Sequence, residues 1–163
     1  MDSDISRSLN EKSQAADCSE ERLIAYCGLY CGDCHGYQQK IPDLARDLRK
    51  ELRQSKYRKF AGFLAGTSFG KAFQDYDRCY EVLGAMVKFR CHKGCRGGGG
   101  SPYCKIRTCC TGKRLDGCWK CDAFEGCGKM EFLRGVHDDG HLKNLRKLAE
   151  KGTAEFLRGK RCW

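Results

Sequence analysis

The sequence predicts a mainly α-helical, cysteine-rich domain stabilised by metal, with a helical insert between two irregular cysteine-rich segments. Three observations predict it. Fourteen cysteines fall in 163 residues, a density at which cysteine becomes a scaffold element, and most cluster at 27–34 and 91–127. Apolar residues recur at helical spacing between and after these clusters. No stretch alternates with period two for long enough to build a substantial sheet, and no internal repeat is found.

Taken in chain order, residues 1–20 lack hydrophobic periodicity and read as a disordered tail, with Cys18 alone in it. Residues 21–163 read as a single metal-stabilised helical domain. The first cluster spaces Cys27, Cys31 and Cys34 as C-x3-C-x2-C. In "IPDLARDLRKEL", Pro42 suits a first helical position, and Ile41, Leu44, Leu48 and Leu52 follow at helical intervals. "YRKFAGFLAGTSFGKAFQDY" reads as a short helix, a turn and more helix, its phenylalanines broken by Gly62, Gly66 and Gly70. Tyr76, Tyr80, Leu83 and Val87 then form one stripe, with Cys79 beside it as an expected core residue. From Cys91 to Cys127 periodicity fades, and "RGGGGSPY" reads as a flexible turn between ligands. "HLKNLRKLAEKG" closes the chain as an amphipathic helix with Gly152 as its stop, and Cys162 stands alone.

The second cluster runs Cys91-x3-Cys95-x8-Cys104-x4-Cys109-Cys110-x7-Cys118-x2-Cys121-x5-Cys127. Cys31-Gly-Asp-Cys34 and Cys118-Trp-Lys-Cys121 share the C-x2-C spacing that lets one tight turn aim two sulfurs at one ion. Glycines beside several cysteines let backbone N–H groups approach sulfur closely. The N-terminus is polar and shows no apolar signal segment, so a cytoplasmic location is expected, with reduced thiols. Clustered cysteines then read as metal ligands rather than disulfides or packing residues. The expected ligands are Cys27, Cys31, Cys34, Cys91, Cys95, Cys104, Cys109 or Cys110, Cys118, Cys121 and Cys127. Cys18, Cys79 and Cys162 are expected to be free, and His92 is the one histidine considered as a substitute ligand. The first cluster needs a further sulfur to close a four-coordinate site, so it is expected to meet the second segment in space.

Zinc is the expected metal and a 4Fe-4S cluster the alternative, since both accept four thiolates. Four sulfurs around one tetrahedral zinc lie about 3.8 Å apart, those around a cubane about 6.4 Å. The zinc spacing is expected for at least one group of four. The ferredoxin run C-x2-C-x2-C-x3-C-P is absent. C-x3-C-x2-C resembles the cluster motif of radical S-adenosylmethionine enzymes over those three residues only, and a short helical chain does not make their β/α barrel. "GGGGSPYCK" lacks the G-K-[ST] of a phosphate-binding loop. Adjacent Cys34 and His35 do not face one another as nucleophile and base would. No acid–base pair, triad or cofactor fingerprint makes a positive case for an enzyme.

The net charge is +10, with +6 of it on residues 35–90 and −3 on residues 1–26. Eight thiolates around two divalent ions would lower the total to +6, so part of the basic character offsets thiolate. A protein partner is expected. Nucleic acid is a weaker reading, through the basic helix 44–59 with Tyr57 and Phe60 on one exposed face. No apolar run approaches the roughly 20 residues that span a bilayer, and no membrane partner is expected.

"YCGLYCGDCHGY", "CRGGGGSPYCKIRTCC" and "GCWKCDAF" together resemble the uncharacterised cysteine-rich family known as domain of unknown function 3795, found in bacteria and archaea, many of them anaerobes. The similarity covers roughly residues 24–130. It implies a cytoplasmic, metal-binding domain with no established activity. Members tend to carry C-x2-C where this chain has Cys91-x3-Cys95, and the doubled Cys109-Cys110 departs from their pattern. Which sulfur of each pair is a ligand stays open at this stage.

Overall fold

A computed structural model describes residues 20–163. The tail read over 1–20 (apart from Glu20) and Cys18 lie outside the described residues. The described residues divide into two compact units, residues 34–91 and residues 20–33 with 92–163. The sequence reading placed both in one domain; the smaller unit is the helical insert it recognised. Mainly helical structure is what the chain adopts, and among the described residues the one β interaction is an isolated antiparallel bridge between Ile24 and Tyr30.

The helical unit contains α1 (His35–Gln38), α2 (Lys40–Gln54), α3 (Tyr57–Ala65), a 3-10 helix (Lys71–Asp75) and α4 (Tyr76–Lys88). Pro42 sits third in α2 rather than first, still within the turn whose N–H groups have no intrahelical acceptor. α2 and α4 pack along one another, with the Arg49 guanidinium 4.3 Å over the Tyr80 ring. A Cβ at Gly84 would meet the guanidinium end of Arg49, which would have to move off its place over Tyr80. Tyr57 gathers Phe60, Phe73 and Tyr76 at ring separations of 5.5, 6.3 and 6.0 Å. One expectation changes here: Cys79 is exposed, not core. The Ile41–Leu44–Leu48 stripe of α2 faces out while Pro42 and Ala45 face in.

The cysteine unit contains a 3-10 turn (Cys31–Asp33), α5 (Lys105–Gly112), two further 3-10 helices (Cys118–Lys120 and Gly128–Leu133), α6 (Arg134–His137) and α7 (Gly140–Arg158). Its core joins Ile24 and Leu29 to Ile106, Trp119, Met130, Leu145, Leu148 and Phe156. Gly152 ends the first stretch of α7 as expected: at φ 77° and ψ 177° its backbone is not helical, and a second helical stretch follows through Arg158, with Phe156 buried in the core. Gly28, at φ 83°, is a position only glycine fills without strain, because a Cβ there would lie 2.8 Å from the Leu145 side chain. Among the described residues no helix is long and apolar enough to cross a membrane.

Candidate metal centre

The first cluster is shaped by a tight reversal. Ala25 N–H donates to Leu29 O at 2.8 Å and Gly28 N–H to Ala25 O at 2.9 Å, which puts Cys27 at the tip and Cys31 just past the Ile24–Tyr30 bridge. The second segment docks against this reversal through its backbone. Cys118 N–H donates to Tyr26 O at 2.8 Å, and Cys95 N–H donates to Cys31 Sγ at 3.3 Å. An N–H aimed at sulfur stabilises thiolate, the role foreseen for open backbone near the ligands. The expected meeting of the first cluster with the second segment is thus realised for Cys31 and Cys95.

Two adjoining groups of thiols result. Cys27 lies within electrostatic reach of Cys95, Cys104 and Cys31. On the other side, Cys109, Cys110, Cys118, Cys121 and Cys127 line one small cavity of about 30 Å³, walled by Ile106, Leu115 and Phe124. In it the Cys110 and Cys118 sulfurs stand 3.7 Å apart. The groups adjoin, since Cys118 also lies within electrostatic reach of Cys27, and Cys110 within that of Cys95. Local structure explains the placement. The 3-10 turn at Cys118–Lys120 closes with Cys121 N–H on Cys118 O at 2.9 Å, while Cys104 and Cys127 each precede a helix start. Of the doubled pair on α5, Cys110 is buried and Cys109 half-buried.

The other expected ligands, Cys34 and Cys91, belong to the helical unit. They flank Gly36, where an added Cβ would lie 3.7 Å from Cys34 Sγ and 3.8 Å from Cys91 Cβ. Cys91 N–H donates to Gly36 O at 2.9 Å. The thirteen described cysteines are all free thiols, with no disulfide among them. Among the described residues, no three Cys, His, Asp or Glu side chains are arranged so as to hold one ion together. The 3.7 Å sulfur pair therefore stands without the third and fourth sulfurs of a zinc tetrahedron. His92 is exposed.

Burial favours the neutral thiol at Cys27, Cys110 and Cys118. Desolvation pushes Cys27 up to about 12, partly opposed by its hydrogen bond to the Leu29 backbone, and the neighbouring thiols raise it further. Desolvation and Cys110 likewise push Cys118 strongly upward. A thiol whose folded value lies above its unfolded one contributes stability that is complete below the unfolded value, about 9, and lost as pH rises toward the folded value. Metal-free protein is therefore expected to lose up to about 1.4 kcal/mol per pH unit per such thiol above pH 9, read by denaturant melts between pH 8 and 11. A flat profile over that range counts against neutral, buried thiols.

Three residues escaped the sequence reading. Arg96 donates from Nε to Ile24 O at 2.9 Å and from Nη2 to Asp116 O at 2.6 Å, and lies over the Tyr26 and Trp119 rings. Arg107 collects the carbonyls of Gly99 and Ser101 at 2.8 and 2.7 Å, so the glycine run is a pinned loop rather than a free one. His141, 1% exposed, has an unpartnered Nδ1 and lines a cavity of about 120 Å³ with Cys127, Glu131 and Arg134; desolvation lowers its pKa. A basic residue inside a cysteine segment was the available signal for the two arginines, but charge alone does not separate a clamp from a solvated side chain. Nothing in the spacing marked His141.

A family model described as "Protein of unknown function (DUF3795)" matches residues 23–132, two thirds of the chain. The chain belongs to the DUF3795 family. The match begins at the Cys27 reversal, takes in the whole helical unit and ends beyond Cys127, so both thiol groups of this DUF3795 chain fall within it. α7, which supplies Leu145, Leu148 and Phe156 to the core beneath them, lies outside the matched residues. No curated protein and no solved structure matches the chain.

Proposed function

We propose that this DUF3795 chain is a metal–thiolate protein, a structural or macromolecular-interaction module whose cysteine unit holds metal on two adjoining sets of thiolates. One set draws on Cys27, Cys31, Cys95 and Cys104, the other on Cys110, Cys118, Cys121 and Cys127. The reading rests on nine free cysteines from four separate segments drawn into two neighbouring groups, where packing alone needs no such concentration of sulfur. Zinc is the first occupant considered, because the Cys110–Cys118 separation of 3.7 Å is near the edge of a zinc–thiolate tetrahedron, about 3.8 Å. Bound structural zinc contributes about 10–16 kcal/mol of apparent folding free energy, which suits a unit whose segments are largely irregular.

A second reading, an iron–sulfur redox protein or enzyme subunit, is favoured by the adjoining of the two groups. A cubane spreads its four sulfurs more widely and places electron transfer within reach of a neighbouring cluster. Elemental analysis of anaerobically purified protein separates the readings. Two equivalents of zinc without sulfide are expected; iron with acid-labile sulfide and a broad visible absorbance would install the second reading. Protein free of zinc, iron and sulfide would sink both.

A further inference from the structure

The helical unit exposes apolar side chains that packed helices ordinarily bury. Its buried side chains are Pro42, Ala45 and Ala61. Leu44 is 61% exposed, Phe63 73%, Phe69 80% and Phe89 76%, with Ile41 and Leu48 also out. Scattered exposed apolar residues are ordinary; the Ile41–Leu44–Leu48 stripe of α2, on a helix whose fully buried side chains are Pro42 and Ala45, marks an interaction surface.

Charge selects what covers it. Residues 34–91 carry twelve Lys and Arg against six Asp and Glu. Residues 52–74, which hold Phe63 and Phe69, carry five cations and no acid. A second copy would bring like charge to like charge. A polyanion is a poor match for α2, where Arg46 is held by Asp43 and Asp47, Arg49 by the Tyr80 ring, and the stripe is aliphatic rather than a set of stacking rings. We infer that the helical unit is a docking surface for an acidic protein segment that lays an amphipathic helix on it, apolar face against Leu44 and Leu48 and carboxylates toward the exposed Lys56 and Lys59, the Arg58 between them being paired with Asp77. This goes beyond the metal reading and does not depend on which metal is bound.

The test uses the full protein as purified, with a soluble Leu/Glu amphipathic peptide of about 20 residues as probe. The peptide is expected to slow amide hydrogen exchange in α2 and α3 about tenfold, an effect that weakens with salt. Leu44→Ser is expected to abolish the slowing without changing the melting temperature, since that side chain is already exposed. A Leu/Lys peptide should give no slowing. The inference is overturned if the Leu/Glu peptide gives none, or if Leu44→Ser keeps it. It is equally overturned if phosphatidylglycerol vesicles or a single-stranded oligonucleotide protect the same amides better, or if the protein alone self-associates through this face.

Discussion

Cys110→Ala is expected to remove one metal equivalent, whereas Cys109→Ala, one residue away, keeps the full complement. Consecutive residues on a helix point about 100° apart, so a doubled cysteine cannot present both sulfurs to one ion equally. The geometry ranks them. Cys110 is 2% exposed with its sulfur 3.7 Å from Cys118, while Cys109 is half-buried at the margin of the same cavity. Losing one of four ligands from a structural site forfeits most of its binding free energy, which for zinc is also folding free energy. Cys110→Ala should therefore lower the melting temperature by tens of degrees as well as the metal content. Cys27→Ala should remove the other equivalent, and Cys79→Ala, on an exposed face of α4, should remove none. Metal per protein by elemental analysis, alongside circular dichroism melts, reads all four variants. Full metal in Cys110→Ala with loss in Cys109→Ala would invert the assignment of the second group.

The sequence made the helices legible wherever an apolar stripe was long. The last helix and the α2 and α4 segments were placed by periodicity, and the insert between cysteine segments emerged as a unit. Periodicity gives a helix its apolar face but not what that face meets, and the Leu44–Leu48 side of α2 meets solvent. The same limit applied to Cys79. The thiol groups were legible as a set from spacing and density, but not as partners. Which cysteines share a neighbourhood depends on the reversal at Cys27 and on backbone bonds such as Cys118 N–H to Tyr26 O, long-range contacts that local spacing does not encode. Gly152 shows what local signals do carry: a glycine at the end of a periodic run is a good stop signal, and the helix breaks there at φ 77° before a second stretch begins.

Arg96→Met is expected to destabilise the cysteine unit by about 2–4 kcal/mol, although it touches no thiol directly. The guanidinium joins two segments that approach each other only in the fold, accepting neither and donating to both: the Ile24 carbonyl at 2.9 Å and the Asp116 carbonyl at 2.6 Å. Ile24 is fully buried, so its carbonyl has no water to replace the lost donor, and such an orphaned acceptor costs about 1–3 kcal/mol. The Asp116 end is exposed and contributes less, while stacking over Tyr26 and Trp119 adds about 0.5–1 kcal/mol. Methionine keeps the apolar stem and removes the donors, so the loss reports the bonds rather than a cavity. Lysine should rescue little, because one ammonium cannot span two carbonyls held by a fork. At about 2–4 °C per kcal/mol for a chain of this size, the melting temperature should fall by roughly 5–15 °C. The consequence reaches the candidate centre, since Ile24 and Tyr26 hold the reversal that presents Cys27, and Asp116 leads into the turn that presents Cys118. Arg96→Met should therefore release metal to a chelator faster than the parent protein. A melting temperature within about 2 °C of the parent, with unchanged release, would show that the thiol groups are held without this clamp.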